Sequence, residues 1–106
     1  MDVFPKFIIE TNDELVDCLI LSKCTYHKQL ATNLDKVKGG GWFRFSAADN
    51  AFIFYGSSDK FGEAKFEDIK KCVEECNVYT NIRCTRSIST KYKFLYDTQS
   101  ELIPLN

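Results

Sequence analysis

The sequence predicts one α+β domain over residues 1–106, with two α-helices packed on a mixed five- or six-stranded β-sheet. Three observations lead to this fold class. Apolar runs of strand length recur along the chain, two segments change to helical spacing, and turn-forming residues separate the segments. The order of elements is β-β-α-β-β-α-β. A chain of 106 residues is one domain by length.

The first two elements are predicted strands that form a hairpin. Residues 4–10 make an apolar run rich in β-formers, and residues 15–21 make a second extended run. The Thr-Asn-Asp sequence between them is typical of a turn.

A change to helical spacing predicts an amphipathic helix over residues 25–37. Thr25 stands where an N-cap is expected. Four apolar residues recur at helical spacing: Tyr26, Leu30, Leu34 and Val37. The triple glycine at 39–41 is expected to end this helix, because glycine tolerates the left-handed conformation of helix ends.

Alternation and spacing assign the rest of the chain. Strands are predicted at residues 42–46, 52–55, 78–82 and 92–96. A second helix is marked by Phe66, Ile69, Val73 and Cys76. The tail from Asp97 is expected to be an edge strand or a docked coil.

Charge and hydropathy exclude several classes of partner. The net charge of −1 gives no global basic field for nucleic acid, and no apolar run is long enough for a membrane helix. We therefore expect a soluble protein that does not bind a membrane. Nucleic-acid binding through the basic C-terminal stretch with Tyr92, Phe94 and Tyr96 is the least favoured of the functions considered. A local basic cluster is interpreted as a solvated strand face: Arg83, Arg86, Lys91 and Lys93.

The cysteines predict a reducing, cytoplasmic location. Their number is odd, and no charged-then-apolar leader follows Met1. Cys72 and Cys76 lie four residues apart, and His27 is the only histidine, which is a poor set of zinc ligands. Buried structural thiols are the expected role, and no metal site is predicted.

Two features are candidates for chemistry. His27 falls in the first turn of the predicted helix, whose positive end favours a neutral imidazole that can accept a proton or attack phosphorus. The loop from Gly56 to Gly62 lies between a buried strand and a helix, where backbone N–H groups can converge on an anion. Each feature alone is also compatible with a purely structural role.

Taken in order, a set of short motifs resembles the phosphohistidine phosphatases and the related Janus and Ocnus proteins. The set is Tyr26-His27, Asp35-Lys36-Val37, Gly39-Gly40-Gly41, Tyr55-Gly56-Ser57-Ser58 and Phe61-Gly62-Glu63-Ala64. The resemblance implies hydrolysis of phosphorus–nitrogen bonds without a metal or other cofactor, with His27 as base or nucleophile. The substrate would be a phosphorylated protein or a small phosphoramidate. The implied phosphate-binding residues are Ser57, Ser58, Asp59 and Lys60.

The sequence departs from this family at two positions. Trp42 follows the triple glycine where the family has arginine, and Asp17 stands where an ungapped comparison places a family lysine. Phosphoryl transfer depends on cations, so these departures leave open a second function, a non-catalytic module that binds an anion or a protein partner. Four basic residues are candidates to replace the missing cations: Lys23, Lys28, Arg44 and Lys60. Trp42 is itself a candidate contact residue.

Overall fold

Seven strands and one α-helix make up the described part of the computed structural model, which covers residues 3–80, 88 and 91–106. They are β1 Phe4–Thr11, β2 Asp17–Cys24, β3 Val37–Ser46, β4 Ala51–Tyr55, α1 Phe66–Glu74, β5 Val78–Tyr79, β6 Lys93–Asp97 and β7 Leu102–Pro104. Strands account for 46% and helices for 17% of these residues, and the sheet curls into a half-barrel. The predicted α+β class with two packed helices is therefore wrong. The described fold is mainly β.

The sheet has the strand order β5-β2-β1-β3-β4-β6-β7. Most neighbours are antiparallel, but β2 pairs with β5, and β4 with β6, in parallel. β1 lies near the middle, hydrogen-bonded on both sides, and residues 6–10 are all buried. A strand that is buried on both faces has a nearly continuous apolar sequence, as β1 does.

One face of the sheet packs against α1, which corresponds to the second predicted helix. Ile69, Cys72 and Val73 of α1 are buried in the same core as Phe7 and Phe54. After α1, Cys76 adopts a left-handed conformation (φ 60°), its amide donates to the Val73 carbonyl, and the next amide donates to the Cys72 carbonyl. This pair of hydrogen bonds is common at helix C-termini where the residue after the helix is left-handed. Glycine is the usual residue at that position, which Cys76 occupies here.

The predicted helix over residues 25–37 is wrong. Two short 3₁₀ turns, His27–Leu30 and Leu34–Lys36, replace it, and Leu30 alone of its four apolar positions is buried. The physical cause is Glu10 on β1, whose carboxylate oxygens accept the amides of Thr32 and Asn33 at 2.8 and 2.9 Å. Those amides are therefore unavailable for helical hydrogen bonds.

The triple glycine does not end a helix, as predicted, but lies inside β3. A Cβ on Gly40 would lie 2.6 Å from the carbonyl oxygen of Phe7, and one on Gly41 would lie 2.6 Å from that of Tyr55. Contacts this short require glycine, because the neighbouring atoms are backbone.

Several predictions fall outside the described residues, among them the end of the predicted strand at Ile82 and the residues Arg83, Cys84 and Arg86. Within the described ranges, no helix has the length and apolar character needed to cross a membrane. In the same ranges, no three His, Cys, Asp or Glu side chains are grouped as metal ligands.

Candidate anion-binding and catalytic site

A cleft of about 620 Å³ lies against the sheet face opposite α1. Its position follows from strand alternation, because Phe7 of β1 packs towards α1 and the flanking Lys6 points to the other face. Seven of the sequence-predicted site residues line this cleft: His27, Lys28, Trp42, Ser57, Ser58, Asp59 and Lys60. The predicted histidine and the predicted loop therefore meet at one place.

Two predicted supporting residues, Lys23 and Arg44, do not line the cleft. Lys23 pairs with Pro5, so it points to the other sheet face, away from Lys6. Arg44 is on β3 beyond Trp42, and its guanidinium lies 3.7 Å from the carboxylate of Asp97.

Asp17 does not line the cleft either. Although burial alone would raise the pKa of Asp17, hydrogen bonds from Thr11 and Lys38 hold it below its usual value. Its carboxylate is therefore ionised, paired with Lys38 and outside the cleft.

The hydrogen bonds of His27 fix its tautomer. Tyr26 occupies the cap position before the first 3₁₀ turn, and the buried imidazole then reaches β3, where Nε2 lies 2.7 Å from the carbonyl oxygen of Gly41. A carbonyl only accepts hydrogen bonds, so Nε2 carries the proton and Nδ1 has the lone pair. Gly40 makes this approach feasible, since a Cβ there would lie 3.2 Å from Cδ2 of the ring.

The second ring nitrogen of His27, Nδ1, is left with an open lone pair. No fully buried side-chain nitrogen or oxygen in the described residues lacks a hydrogen-bond partner. Within the described contacts of His27, only Nε2 has a partner. Nδ1 is therefore exposed to solvent, and His27 as a residue lines the cleft.

The imidazole of His27 is held in its neutral form. Burial lowers its pKa below the usual value, and the ammonium of Lys6 lowers it further, against opposing effects of the Gly41 carbonyl and Asp59. The predicted helix end plays no part, because His27 begins a turn of four residues. The effect is the predicted one, a neutral base, but its main cause is desolvation.

The loop after β4 is anchored to β3. The amide of Ser58 is shared between the carbonyl oxygens of Gly40 and Gly62, at 3.1 and 3.2 Å, and the amide of Gly40 donates to the Gly62 carbonyl. The buried hydroxyl of Ser58 accepts the amide of Phe61. Ser58 therefore stabilises the conformation of the loop, and its N–H is not available to bind an anion.

Other amides of the loop remain open. Among the described contacts, the N–H groups of Ser57, Asp59 and Lys60 have no acceptor, and all three residues are exposed in the cleft. Successive free amides of this kind can bind an anion. Asp59 opposes that binding, because its carboxylate is close enough to raise the pKa of His27.

Lys6 is a cation that the sequence analysis did not identify. The residue is 5% exposed, and its Nζ donates to the carbonyl oxygen of Cys24 at 3.0 Å and lies 4.4 Å from the ring centroid of Trp42. Nζ also lies 5.1 Å from the ring centroid of Phe4, so the ammonium is held by one carbonyl and two aromatic rings at the edge of the cleft. The available signal was a lysine inside an otherwise apolar strand.

Trp42 is a fixed wall of the cleft. Gly56 has a φ of 71°, and a Cβ there would lie 2.8 Å from Cδ1 of the indole, so both the backbone and the packing favour glycine. The indole meets the rings of Phe4 and His27 edge to face, with centroids 5.8 and 6.0 Å apart. Trp42 thus holds a cation at the cleft, the ammonium of Lys6.

Comparison with protein-family models, curated proteins and solved structures gives no match. The resemblance to the phosphohistidine phosphatases and Janus proteins therefore rests on the sequence motifs and stays a prediction.

Proposed function

We propose that this chain is a cytoplasmic, phosphohistidine-phosphatase-like enzyme that hydrolyses a phosphorus–nitrogen bond without a metal or other cofactor. Its substrate would be a phosphorylated protein or a small phosphoramidate. The observation that carries the proposal is that one cleft is lined by His27, whose Nδ1 has no partner among the described contacts, and by Asp59 and Lys60, whose amides have no acceptor there.

In the proposed reaction, the phosphoryl oxygens accept hydrogen bonds from the free loop amides and from Nζ of Lys6. Nδ1 of His27 takes a proton from water, the water oxygen forms a bond to phosphorus, and the phosphorus–nitrogen bond breaks. Its electron pair stays on the leaving nitrogen, which takes a proton from solvent, and inorganic phosphate is released. A lowered pKa keeps His27 ready to accept the proton near neutrality.

Charge supports anion binding at this place. Lys6 is buried at the base of the cleft, and Lys28 and Lys60 are exposed along it, against the single carboxylate of Asp59. A buried ammonium acts strongly on a bound anion, because little water screens it. Removing one such donor typically reduces turnover about a hundredfold.

The test is phosphate release from a phosphohistidine peptide. We expect His27→Gln to lose at least a hundredfold in turnover, because its amide can still donate to Gly41 but has no basic nitrogen. Lys6→Met should also lose about a hundredfold, whereas Lys23→Met, on the other sheet face, should keep full turnover. Equal turnover by the wild type and His27→Gln would remove the histidine from the mechanism.

A non-catalytic binding module is the second candidate. It is favoured by the side chains of Phe4 and Tyr26, which are 46% and 61% exposed beside the cleft and are suited to contact a partner. This candidate predicts phosphate or phosphopeptide binding that Lys6→Met weakens, with no phosphate release by the wild type.

A further inference from the structure

Glu10 is a buried carboxylate that the proposed hydrolysis does not use. It lies on the same strand as Lys6 and, by strand alternation, on the same sheet face, but at the far end of β1. The residue is 6% exposed. Burying a carboxylate is costly unless it is hydrogen-bonded, so the partners of Glu10 indicate its role.

The two carboxylate oxygens of Glu10 hold the chain just after the turn that carries His27. Oε1 accepts the amide of Thr32 at 2.8 Å, and Oε2 accepts the amide of Asn33 at 2.9 Å. Hydrogen bonds from backbone amides to an ionised carboxylate are stronger than those between neutral groups. With one amide on each oxygen, Glu10 fixes both the position and the orientation of residues 32–33.

The turn between residues 25 and 31 is bonded internally. The side-chain oxygen of Gln29 accepts the amides of Thr25 and Tyr26, both at 2.9 Å. The amide of Ala31 donates to the carbonyl of Lys28. A displacement at the end next to residue 32 is therefore passed on to the other end, which carries the imidazole.

Glu10 acts on the imidazole through this turn and not through its charge. Among the described residues, the charges that shift the pKa of His27 are those of Lys6 and Asp59. Glu10 can therefore affect the ring by holding the chain that leads to it.

The anion-binding loop has its own anchor. The amide of Ser58 donates to the carbonyls of Gly40 and Gly62, and neither hydrogen bond involves the segment that Glu10 holds. Loss of the Glu10 contacts is therefore expected to displace the histidine and to leave the loop amides in place.

From these contacts we infer that Glu10 is a positioning residue for His27. Its carboxylate holds residues 32–33 and, through the bonded turn, keeps Nε2 of the ring against the carbonyl of Gly41. The expected effect on turnover rests on the proposed hydrolysis, whereas the effect on the imidazole does not.

Nitrogen NMR of His27 tests the effect on the imidazole, and its signals are unambiguous because the chain has one histidine. At a pH where the ring is neutral, the wild type should show one tautomer, with the proton on Nε2. Glu10→Gln has the same shape but replaces one acceptor by a donor, so it should show a mixture of both tautomers. Glu10→Asp keeps the charge but is one methylene shorter, and it should do the same.

Asp17→Asn is the matched control. Asp17 also accepts two side-chain hydrogen bonds, from Thr11 and Lys38, but it lies outside the cleft. This variant should leave the His27 signals as they are in the wild type. Unchanged signals in Glu10→Gln, or an equal change in Asp17→Asn, would overturn the inference.

Turnover of a phosphohistidine peptide gives a second readout. We expect Glu10→Gln to lower kcat roughly 10-fold and to change KM by less than about 2-fold, because the base is misplaced while the loop amides stay. A KM that rises as much as kcat falls would contradict a role specific to His27. No hydrolysis by the wild type would count against the proposed function alone, since the His27 signals still decide the role of Glu10.

Discussion

Gly40→Ala is the substitution that most directly tests how β3 joins the histidine to the loop. The new Cβ would lie 2.6 Å from the carbonyl oxygen of Phe7, so β1 and β3 would have to separate by roughly 0.8 Å to reach an ordinary contact of 3.4 Å. Both strands are central in the sheet, and the displaced atom is backbone, which cannot rotate away. Overpacking of this kind typically costs about 1–3 kcal/mol.

The same displacement affects two hydrogen bonds that anchor the loop. The carbonyl of Gly40 accepts the amide of Ser58, and the amide of Gly40 donates to the carbonyl of Gly62. Each bond contributes about 1 kcal/mol, so the total loss in the free energy of unfolding is expected to be about 3–5 kcal/mol. For a domain of this size that corresponds to a fall in Tm of about 10 °C or more.

Gly62→Ala is the matched control for this prediction. Gly62 has a φ of 78°, but no atom lies within 4 Å of a Cβ built there. Its cost is limited to the left-handed backbone, about 1–2 kcal/mol. Both variants are measured by urea and thermal denaturation. A loss for Gly40→Ala no larger than that for Gly62→Ala would refute the claim that close backbone packing sets the role of Gly40.

Four further predictions concern individual side chains. The pKa of His27 is lower in the folded than in the unfolded state, so the unfolded chain binds more protons just below pH 6.5. The free energy of unfolding should therefore fall as the pH drops through this window. His27→Gln should lose that part of the pH dependence in urea titrations. Asp59→Asn should strengthen phosphate binding and lower the pKa of His27 in an NMR titration, since the carboxylate repels the anion and favours the imidazolium; an unchanged pKa would show that Asp59 does not act on the ring. Cys76→Gly should raise the free energy of unfolding by about 0.5–1 kcal/mol, because its left-handed backbone suits glycine. In the wild type, thiol reagents should modify exposed Cys76 before buried Cys72, whose pKa is raised to about 12, and the reverse order would contradict the packing of α1.

Local patterns were sufficient for several strands. The apolar run at the start of the chain and the turn after it predicted β1 and its hairpin with β2, although β2 begins at Asp17 rather than at Leu15. Leu15 instead lies in the turn, 80% exposed and with a φ of 62°. Apolar residues in a turn resemble the start of a strand, so the boundary was displaced.

The prediction of the first helix was wrong because the group that prevents it lies far away in the sequence. The carboxylate of Glu10 binds the amides of Thr32 and Asn33, which lie 22 and 23 residues further along the chain. Helical spacing in one segment carries no information about such a contact. The triple glycine was misassigned for a related reason. Its glycines allow close backbone contacts with Phe7 and Tyr55 on neighbouring strands, which the local sequence does not show.

The sequence predicted the loop and the histidine of the candidate site but not its buried cation, Lys6. The order of motifs pointed to His27 and to the segment that contains Asp59 and Lys60, and these residues line one cleft. Lys6 was missed because a lysine in an apolar strand has no local signature of a binding role. Its contact with Trp42 is made across two neighbouring strands, so the sequence around Lys6 does not show it.

An NMR titration with inorganic phosphate tests the central claim most directly. If Nδ1 of His27 and the free amides share one anion site, the amide signals of Asp59 and Lys60 and the ring signals of His27 should shift together with a single dissociation constant. Bound phosphate should also raise the pKa of His27, because an adjacent anion favours the imidazolium. Shifts of the loop amides with an unchanged His27 pKa, or shifts confined to residues outside the cleft, would contradict the account.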